Sequence, residues 1–129
     1  MEKEFDQWNR YKKEIHEQGF AVLYQQRDLW WCRLGTNIGY EQDGTGKEFE
    51  RPVLILRGFS KQVCLIVPLT TSQKKNPYHV SVGDIAGKQA FAIVSQLRLV
   101  DTKRLFDKIG KLDQEIFSRI QKTIKSFFD

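Results

Sequence analysis

The sequence predicts a mainly β fold of the α+β class: one small antiparallel β-barrel with a helix at each end. Three observations predict it. Five short runs rich in β-branched and aromatic residues fill the middle of the chain. Gly, Pro, Asn, Asp and Ser separate those runs, and apolar residues at helical spacing mark both termini. At 129 residues there is room for one domain with a real core and little for a second.

The first element spans Glu4 to Gln18. Phe5, Trp8, Tyr11 and Ile15 fall at helical spacing, charged residues fill the positions between, and Gly19 terminates the run. This reads as an amphipathic helix laid on the body or on a partner, a lid over the barrel core being its structural reading. The β-rich runs follow: Leu29 to Leu34, Val53 to Leu56, Val63 to Val67, Tyr78 to Val82 and Ala90 to Val94. Gly58 and Ser60 sit where a hairpin would join the second run to the third, and Asn76-Pro77 introduces the fourth. A short turn is expected from Thr102 to Phe106. The last element is a helix whose stripe is Leu112, Ile116, Ile120, Ile124 and then Phe127 or Phe128. Asp113 is its expected N-cap, and Leu112 and Phe117 occupy the positions of a hydrophobic staple. Lys122 and Lys125 lie at its negative end.

Charge and cysteine content narrow the classes. Lys and Arg number 21 against 16 Asp and Glu, a formal net charge of +5. Residues 1–28 carry net −1, while residues 29–101 and 102–129 carry +3 each. That basic body suits an anionic partner such as nucleic acid, and an ordinary solvated surface explains it as well. No run approaches the length of a membrane span, and the first residues do not read as a secretory signal, so a cytoplasmic protein is expected. Cys32 and Cys64 are too few for a disulfide framework or a four-cysteine zinc site, and neither has an adjacent base. They are read as buried, inert thiols. His16 and His79 have no metal-ligand spacing around them and are read as structural or exposed. Gly44-Thr45-Gly46 lacks the length and ending of a phosphate-binding loop. No metal and no cofactor are expected.

Three segments remain that could carry chemistry. Gly39-Tyr40-Glu41-Gln42 runs through a polar loop, residues 43–50, into Arg51-Pro52. Val67-Pro68-Leu69-Thr70-Thr71-Ser72 ends a buried strand in three hydroxyls. Ser95-Gln96-Leu97-Arg98-Leu99-Val100-Asp101 closes the fifth run. If these strand ends share one rim, they gather Arg, Thr, Gln, Ser and Lys into a shallow polar groove. Such a groove suits a polyanion, because Arg offers phosphate a planar bidentate fork.

In these motifs the chain resembles the MazF/PemK family of bacterial toxin ribonucleases, the mRNA interferases of type II toxin–antitoxin systems. Leu29-Trp30-Trp31, Asn37 to Gln42, Arg51 to Ile55, Val67 to Thr71, Ser95 to Arg98, Val100-Asp101 and Arg104-Leu105 carry the resemblance in family order. It runs from about residue 27 to the end, leaving residues 1–26 as a helical extension of a toxin-like domain at 27–129. The resemblance implies an SH3-like barrel of the CcdB/PemK/MazF type with a C-terminal helix. It also implies a homodimer, a cognate antitoxin partner, and cleavage of single-stranded RNA (mRNA) without a metal. Arg51 matches the family's catalytic arginine and Thr70 its catalytic threonine. Gln96 matches a substrate-binding glutamine, and Tyr40, Glu41 and Gln42 occupy the loop that borders the groove. Ser95, Arg98 and Lys74 complete the expected substrate-binding set.

The chain departs from the pattern at two of these positions. Some members carry His where Tyr40 stands and Asp where Ser95 stands, a proposed base and acid; a mechanism built on Arg51 and Thr70 fits this sequence better. Structural readings also stand beside each assignment. Arg51 could be a surface strand-start residue with Pro52 guarding an edge strand. Thr70 could end its strand with a local hydrogen bond, and Arg98 could pair with Asp101. Trp30 and Trp31 could stack on bases, although strand alternation sends one of them to the core. Lys74-Lys75 could steer RNA or simply be solvated. Two rival functions share the same barrel: a CcdB-like inhibitor of DNA gyrase and a catalytically inactive RNA-binding module.

Overall fold

The computed structural model describes residues 22–35, 50–72 and 76–129. The expected helix from Glu4 to Gln18 lies outside the described residues. Among the described residues, seven strands and one α-helix follow in chain order: β1 (Asp28–Arg33), β2 (Glu50–Gly58), β3 (Val63–Thr70), β4 (His79–Ile85), β5 (Lys88–Ile93), β6 (Arg98–Asp101), β7 (Leu105–Lys111) and α1 (Gln114–Ser126). All pairings are antiparallel, in the order β4-β5-β3-β2-β1-β7, with β6 also on β3. The sheet curls into a half-barrel with one C-terminal helix.

The central strands read as continuous apolar runs because both of their faces are buried. Val53 through Leu56 are all buried, and alternate residues enter different cores. Leu54, Leu56, Val67 and Leu69 join Val80, Val82, Ala90 and Ala92 under α1, which contributes Phe117 and Ile120. Val53, Ile55, Cys64 and Ile66 join Trp30, Cys32, Val100 and Leu105 inside the curl. Trp30 is the core-facing tryptophan of the pair and Trp31 is half-buried.

Local chemistry sets the joints. Ser60 Oγ accepts from the N–H groups of Gln62 and Val63, closing the β2–β3 hairpin. Gly58 stands there because a Cβ would come within 2.9 Å of three Tyr24 ring atoms, the hydroxyl oxygen included. Asn76 Oδ1 accepts from Tyr78 N–H, an Asx turn that leads into β4. Ala86 (φ 51°) and Gly87 (φ 84°) form the tight β4–β5 turn, both residues in the left-handed region that a type I′ hairpin needs. Asp113 caps α1 by accepting from Glu115 and Ile116, a contribution of about 1 kcal/mol, and Leu112 and Phe117 pack in the same core as a staple would.

Four expectations need correction. The turn after Asp101 is confined to Thr102–Arg104, and Leu105-Phe106 already belong to β7. Neither β6 nor β7 stands out as an apolar run, because both are edge strands that bury few side chains. Pro52 is no edge device either: β2 lies between β1 and β3, with Pro52 opposite Trp31. The helical stripe stops at Ile124; Phe128 is 85% exposed, and Phe127, itself exposed, meets the exposed ring of Tyr78 edge to face at 5.6 Å.

Cys32 and Cys64 are buried free thiols, as expected. Burial, with a smaller contribution from Cys64, pushes the Cys32 thiol up to about 12; burial, followed by Asp101, pushes Cys64 up to about 11. Each thiol therefore ionises more easily in the unfolded chain, from about pH 9 upward. Their favourable contribution is complete below that pH and is lost as pH rises through the folded values. Urea unfolding at pH 8, 9.5 and 10.5 should show stability falling only above about pH 9. At pH 8, a thiol reagent should modify neither cysteine until denaturant is added.

Candidate active site

Register brings Arg51 and Thr70 together. Val53 pairs with Pro68 and Leu54 with Val67; the ladder ends there, and the same antiparallel register carried two residues further sets Arg51 on the side of Thr70 at the open end of β2 and β3. Both are buried, at 7% and 8% exposure, unusual for an arginine and a threonine at strand ends. Both project from the face that also carries Val53, Ile55 and Ile66. Nearer the hairpin the register differs by one residue: Arg57 pairs with Leu65 and Gly58 with Cys64, leaving Leu56 as the extra residue of a bulge. Carried through without the bulge, the hairpin register would set Thr70 opposite Pro52. Arg51 and Thr70 would then face opposite sides of the sheet. One inserted residue thus decides whether the pair can act together.

Arg51 is held by its own scaffold: Nη1 donates to the Leu69 carbonyl at 3.3 Å. The surface-strand reading therefore fails for this residue. Thr70 makes the local bond that a structural role requires, its Oγ1 accepting from Ser72 N–H at 3.1 Å. That bond uses a lone pair and leaves the hydroxyl proton to donate elsewhere. The carboxylate of Glu50, next to Arg51, is taken by Arg33 at 3.1 Å across the β1–β2 ladder. Arg33 also lies over the Phe106 ring, 4.6 Å from its centroid, and its carbonyl accepts from Arg104 Nη1 at 3.0 Å.

The electrostatics of this end are cationic. Cys32 is paired with Arg51 in the ladder, and after the larger upward effects of burial and Cys64, the charges of Arg104 and Arg98 pull its thiol downward. Arg51, Arg98 and Arg104 are thus gathered around one residue of the concave face. Arg98 enters this set because it pairs with Ile66 and shares the inward face of Val100. Asp101 stands on the opposite face of β6 from Arg98 and Val100 and caps the following turn by accepting from Lys103 N–H.

Ser95 and Gln96 sit in the 3₁₀ turn Val94–Gln96. Its position follows from a fork in the sheet, where β3 pairs with β6 through Val63–Ile66 and with β5 through Leu69-Thr70. The turn steps from β5 to β6 alongside Val67 and Pro68, one side of the same rim. Ser95 is exposed and Gln96 half-buried. Tyr40, Glu41, Gln42 and Lys74 lie outside the described residues. No cluster of three His, Cys, Asp or Glu side chains that could hold a metal occurs among the described residues. Two features escaped the sequence reading: a fully buried carboxylate, Asp28, and the approach of His79 to Phe91, rings 6.5 Å apart. The alternation of His79 and Ser81 with Val80 and Val82 marks two faces, but nothing local announces which strand lies alongside.

The arrangement can bind a phosphodiester, with a buried guanidinium to balance charge and a hydroxyl to donate beside it. Comparison with known proteins gives the family and the fold. The family described as PemK-like, MazF-like toxin of type II toxin–antitoxin system matches residues 25–128. Endoribonuclease EndoA of Bacillus subtilis (strain 168) is 27% identical over 115 residues, covering 81% of this chain and 93% of that protein. The crystal structure of MazF (Form-I) from Deinococcus radiodurans superposes with a TM-score of 0.67 at 17% identity, covering 83% of this chain and 97% of that one. An endoribonuclease in complex with its cognate antitoxin, from Mycobacterial species, gives a TM-score of 0.59 at 16% identity, with coverage of 81% and 93%. At these identities the structures speak for the fold.

Proposed function

This chain belongs to the PemK-like, MazF-like toxins of type II toxin–antitoxin systems, and from that premise we propose that it is an endoribonuclease that cuts single-stranded RNA at Arg51 and Thr70. The observation that carries the reading is their position: two buried polar side chains at the same end of neighbouring strands, just past the Val53–Pro68 pair, with Arg51 Nη1 donating to the carbonyl of Leu69, next to Thr70.

The chemistry follows from what the pair can and cannot do. Neither residue is a good nucleophile, so the substrate supplies one. The ribose 2′-oxygen attacks the adjacent phosphorus, the 2′-O–P bond forms and the P–O5′ bond breaks. The 2′-hydroxyl gives up its proton and the departing 5′-oxygen gains one. The products are a 2′,3′-cyclic phosphate and a 5′-hydroxyl, and no metal is needed to generate the attacking group. Arg51 balances the charge that accumulates on the phosphoryl oxygens in the transition state. Its high pKa makes electrostatic stabilisation, not proton donation, its main task. Thr70 Oγ donates to a phosphoryl oxygen while Ser72 N–H fixes its position. Gln96 and Arg98, on the same rim, hold the neighbouring backbone, with Tyr40, Glu41, Gln42, Ser95 and Lys74 completing the substrate contacts.

In this reading the chain works as a cytoplasmic homodimer, silenced by a cognate antitoxin of acidic character that complements the basic groove. No helix among the described residues is long and apolar enough to cross a membrane. Leu99, 58% exposed, stands beside Val63 and Leu65 on the outer face of β3 and β6 and offers apolar surface to a second copy. The test is direct. Purified protein in EDTA should cut a long RNA of known sequence at mappable sites and leave 5′ ends that a kinase can label without phosphatase treatment. A protein that cuts no RNA yet blocks DNA gyrase would overturn the proposal.

A further inference from the structure

We propose that His79 and Phe91 form a base-binding shelf that seats the nucleobase next to the cut phosphate and sets part of the sequence preference. This rests on the ribonuclease reading above and adds residues to it.

Register carries the argument. Thr70 pairs with Phe91 on β5, and Phe91 pairs with Ser81 on β4. Thr70, Phe91 and Ser81 therefore form one row across three strands, all on one face, and the β2–β3 register carried past Val53–Pro68 extends that row toward Arg51. Directly opposed residues in neighbouring strands lie about 5 Å apart, so the shelf begins one strand from Thr70. The opposite face of the β4–β5 hairpin is committed to the core through Val80, Val82, Ala90 and Ala92. His79, two residues from Ser81, returns to the Thr70 side and lies 6.5 Å from Phe91, centroid to centroid, with the planes inclined by 30°. Both rings are half-buried, so part of each remains open.

The imidazole is built asymmetrically. Nδ1 is buried with no hydrogen-bond partner among the described residues. The remaining ring nitrogen, Nε2, is not buried in this way, and in the proposed shelf it is the atom that meets a polar atom of a base. Phe91 offers a π-face that any base can stack on, and His79 adds an edge that discriminates. A diagonal aromatic pair within a sheet needs no ligand to exist, so the test must separate recognition from packing.

The test uses the full chain with Phe91→Leu, Phe91→Trp and His79→Gln, each checked for a native circular dichroism spectrum and melting curve. On a short RNA containing a mapped cut site, Phe91→Leu should raise KM about tenfold or more, with kcat changed by less than about twofold. Phe91→Trp keeps a π-face and should keep KM near wild type. His79→Gln should widen the range of bases accepted at one position flanking the cut. A second readout uses an oligonucleotide made uncleavable by 2′-deoxyribose at the cut, with 2-aminopurine at the flanking base. Wild type and Arg51→Ala should both quench its fluorescence, and Phe91→Leu should not. If wild type cuts RNA but Phe91→Leu and His79→Gln keep its KM, preference and quenching, the shelf is wrong and the ribonuclease reading stands. If wild type cuts no RNA, that reading fails and the shelf with it.

Discussion

Arg51→Ala should lower RNA cleavage by about 10²–10³-fold while the protein stays folded. The size of the effect follows from what the guanidinium does. It is buried at the end of β2, where water screens charge poorly, and it is positioned before substrate arrives by donating to the Leu69 carbonyl. Charge that develops on phosphoryl oxygens during the reaction then meets a donor that has no reorganisation left to do. Loss of a single preorganised donor in such a site costs orders of magnitude in kcat. The structural cost includes the hydrogen bond that the Leu69 carbonyl loses, about 1 kcal/mol. Arg51→Lys should recover little activity, because an ammonium lacks the planar fork that spans two phosphate oxygens. Thr70→Ala should also lower kcat, whereas Thr70→Ser keeps the hydroxyl and should keep most of it. Initial rates with saturating RNA, alongside melting curves of each variant, check all of these.

Asp28→Ala should destabilise the fold by about 3 kcal/mol, seen as a fall of about 1–2 M in the urea midpoint. Asp28 is fully buried at the start of β1, an improbable place for a lone carboxylate. Its Oδ2 accepts from Gln25 N–H at 2.8 Å and from the Trp30 indole N–H at 3.2 Å. Its Oδ1 faces the ammonium groups of Lys108 and Lys111 at 3.5 and 3.7 Å, both from β7. One carboxylate thus orients the core tryptophan, closes the turn before β1 and anchors the edge strand. Alanine leaves an indole and a backbone amide without their acceptor and removes the charge that holds both lysines. The lysines should behave differently. Their side chains are 48% and 37% exposed, so Lys108→Ala or Lys111→Ala should cost under about 1 kcal/mol each. Activity per folded molecule should be unchanged in Asp28→Ala, since the carboxylate belongs to the β1–β7 side of the sheet, away from Thr70.

How much of this was legible in the chain depended on whether the signal was local. β1 to β5 stood out because they are buried on at least one face, and α1 because Asp113 and the Ile116–Ile120–Ile124 stripe announce it. β7 was missed because Asp107, Lys108 and Lys111 dilute its apolar residues and its pairing with β1 shifts register twice, which destroys a period of two. β6 is four residues long and lies within the stretch that reads as site chemistry. Arg51 and Thr70 were legible as motif residues, but their alignment depends on the bulge at Leu56, which only the folded ladder reveals. The shelf was hidden for a similar reason. Phe91 reaches Thr70 through a ladder of just two residue pairs between β3 and β5, strands 18 residues apart in sequence.

The central claim is that Arg51 and Thr70 assist an attack made by the RNA itself, and one pair of oligonucleotides tests it. Both carry the same mapped cut site; one has ribose at the nucleotide 5′ to the scissile phosphate and the other has 2′-deoxyribose there. In EDTA, wild-type protein should convert the ribose version to a 2′,3′-cyclic phosphate and a 5′-hydroxyl fragment, and leave the deoxy version whole. Cleavage of the deoxy version, a 5′-phosphate product, or undiminished cutting of the ribose version by Arg51→Ala would contradict the account.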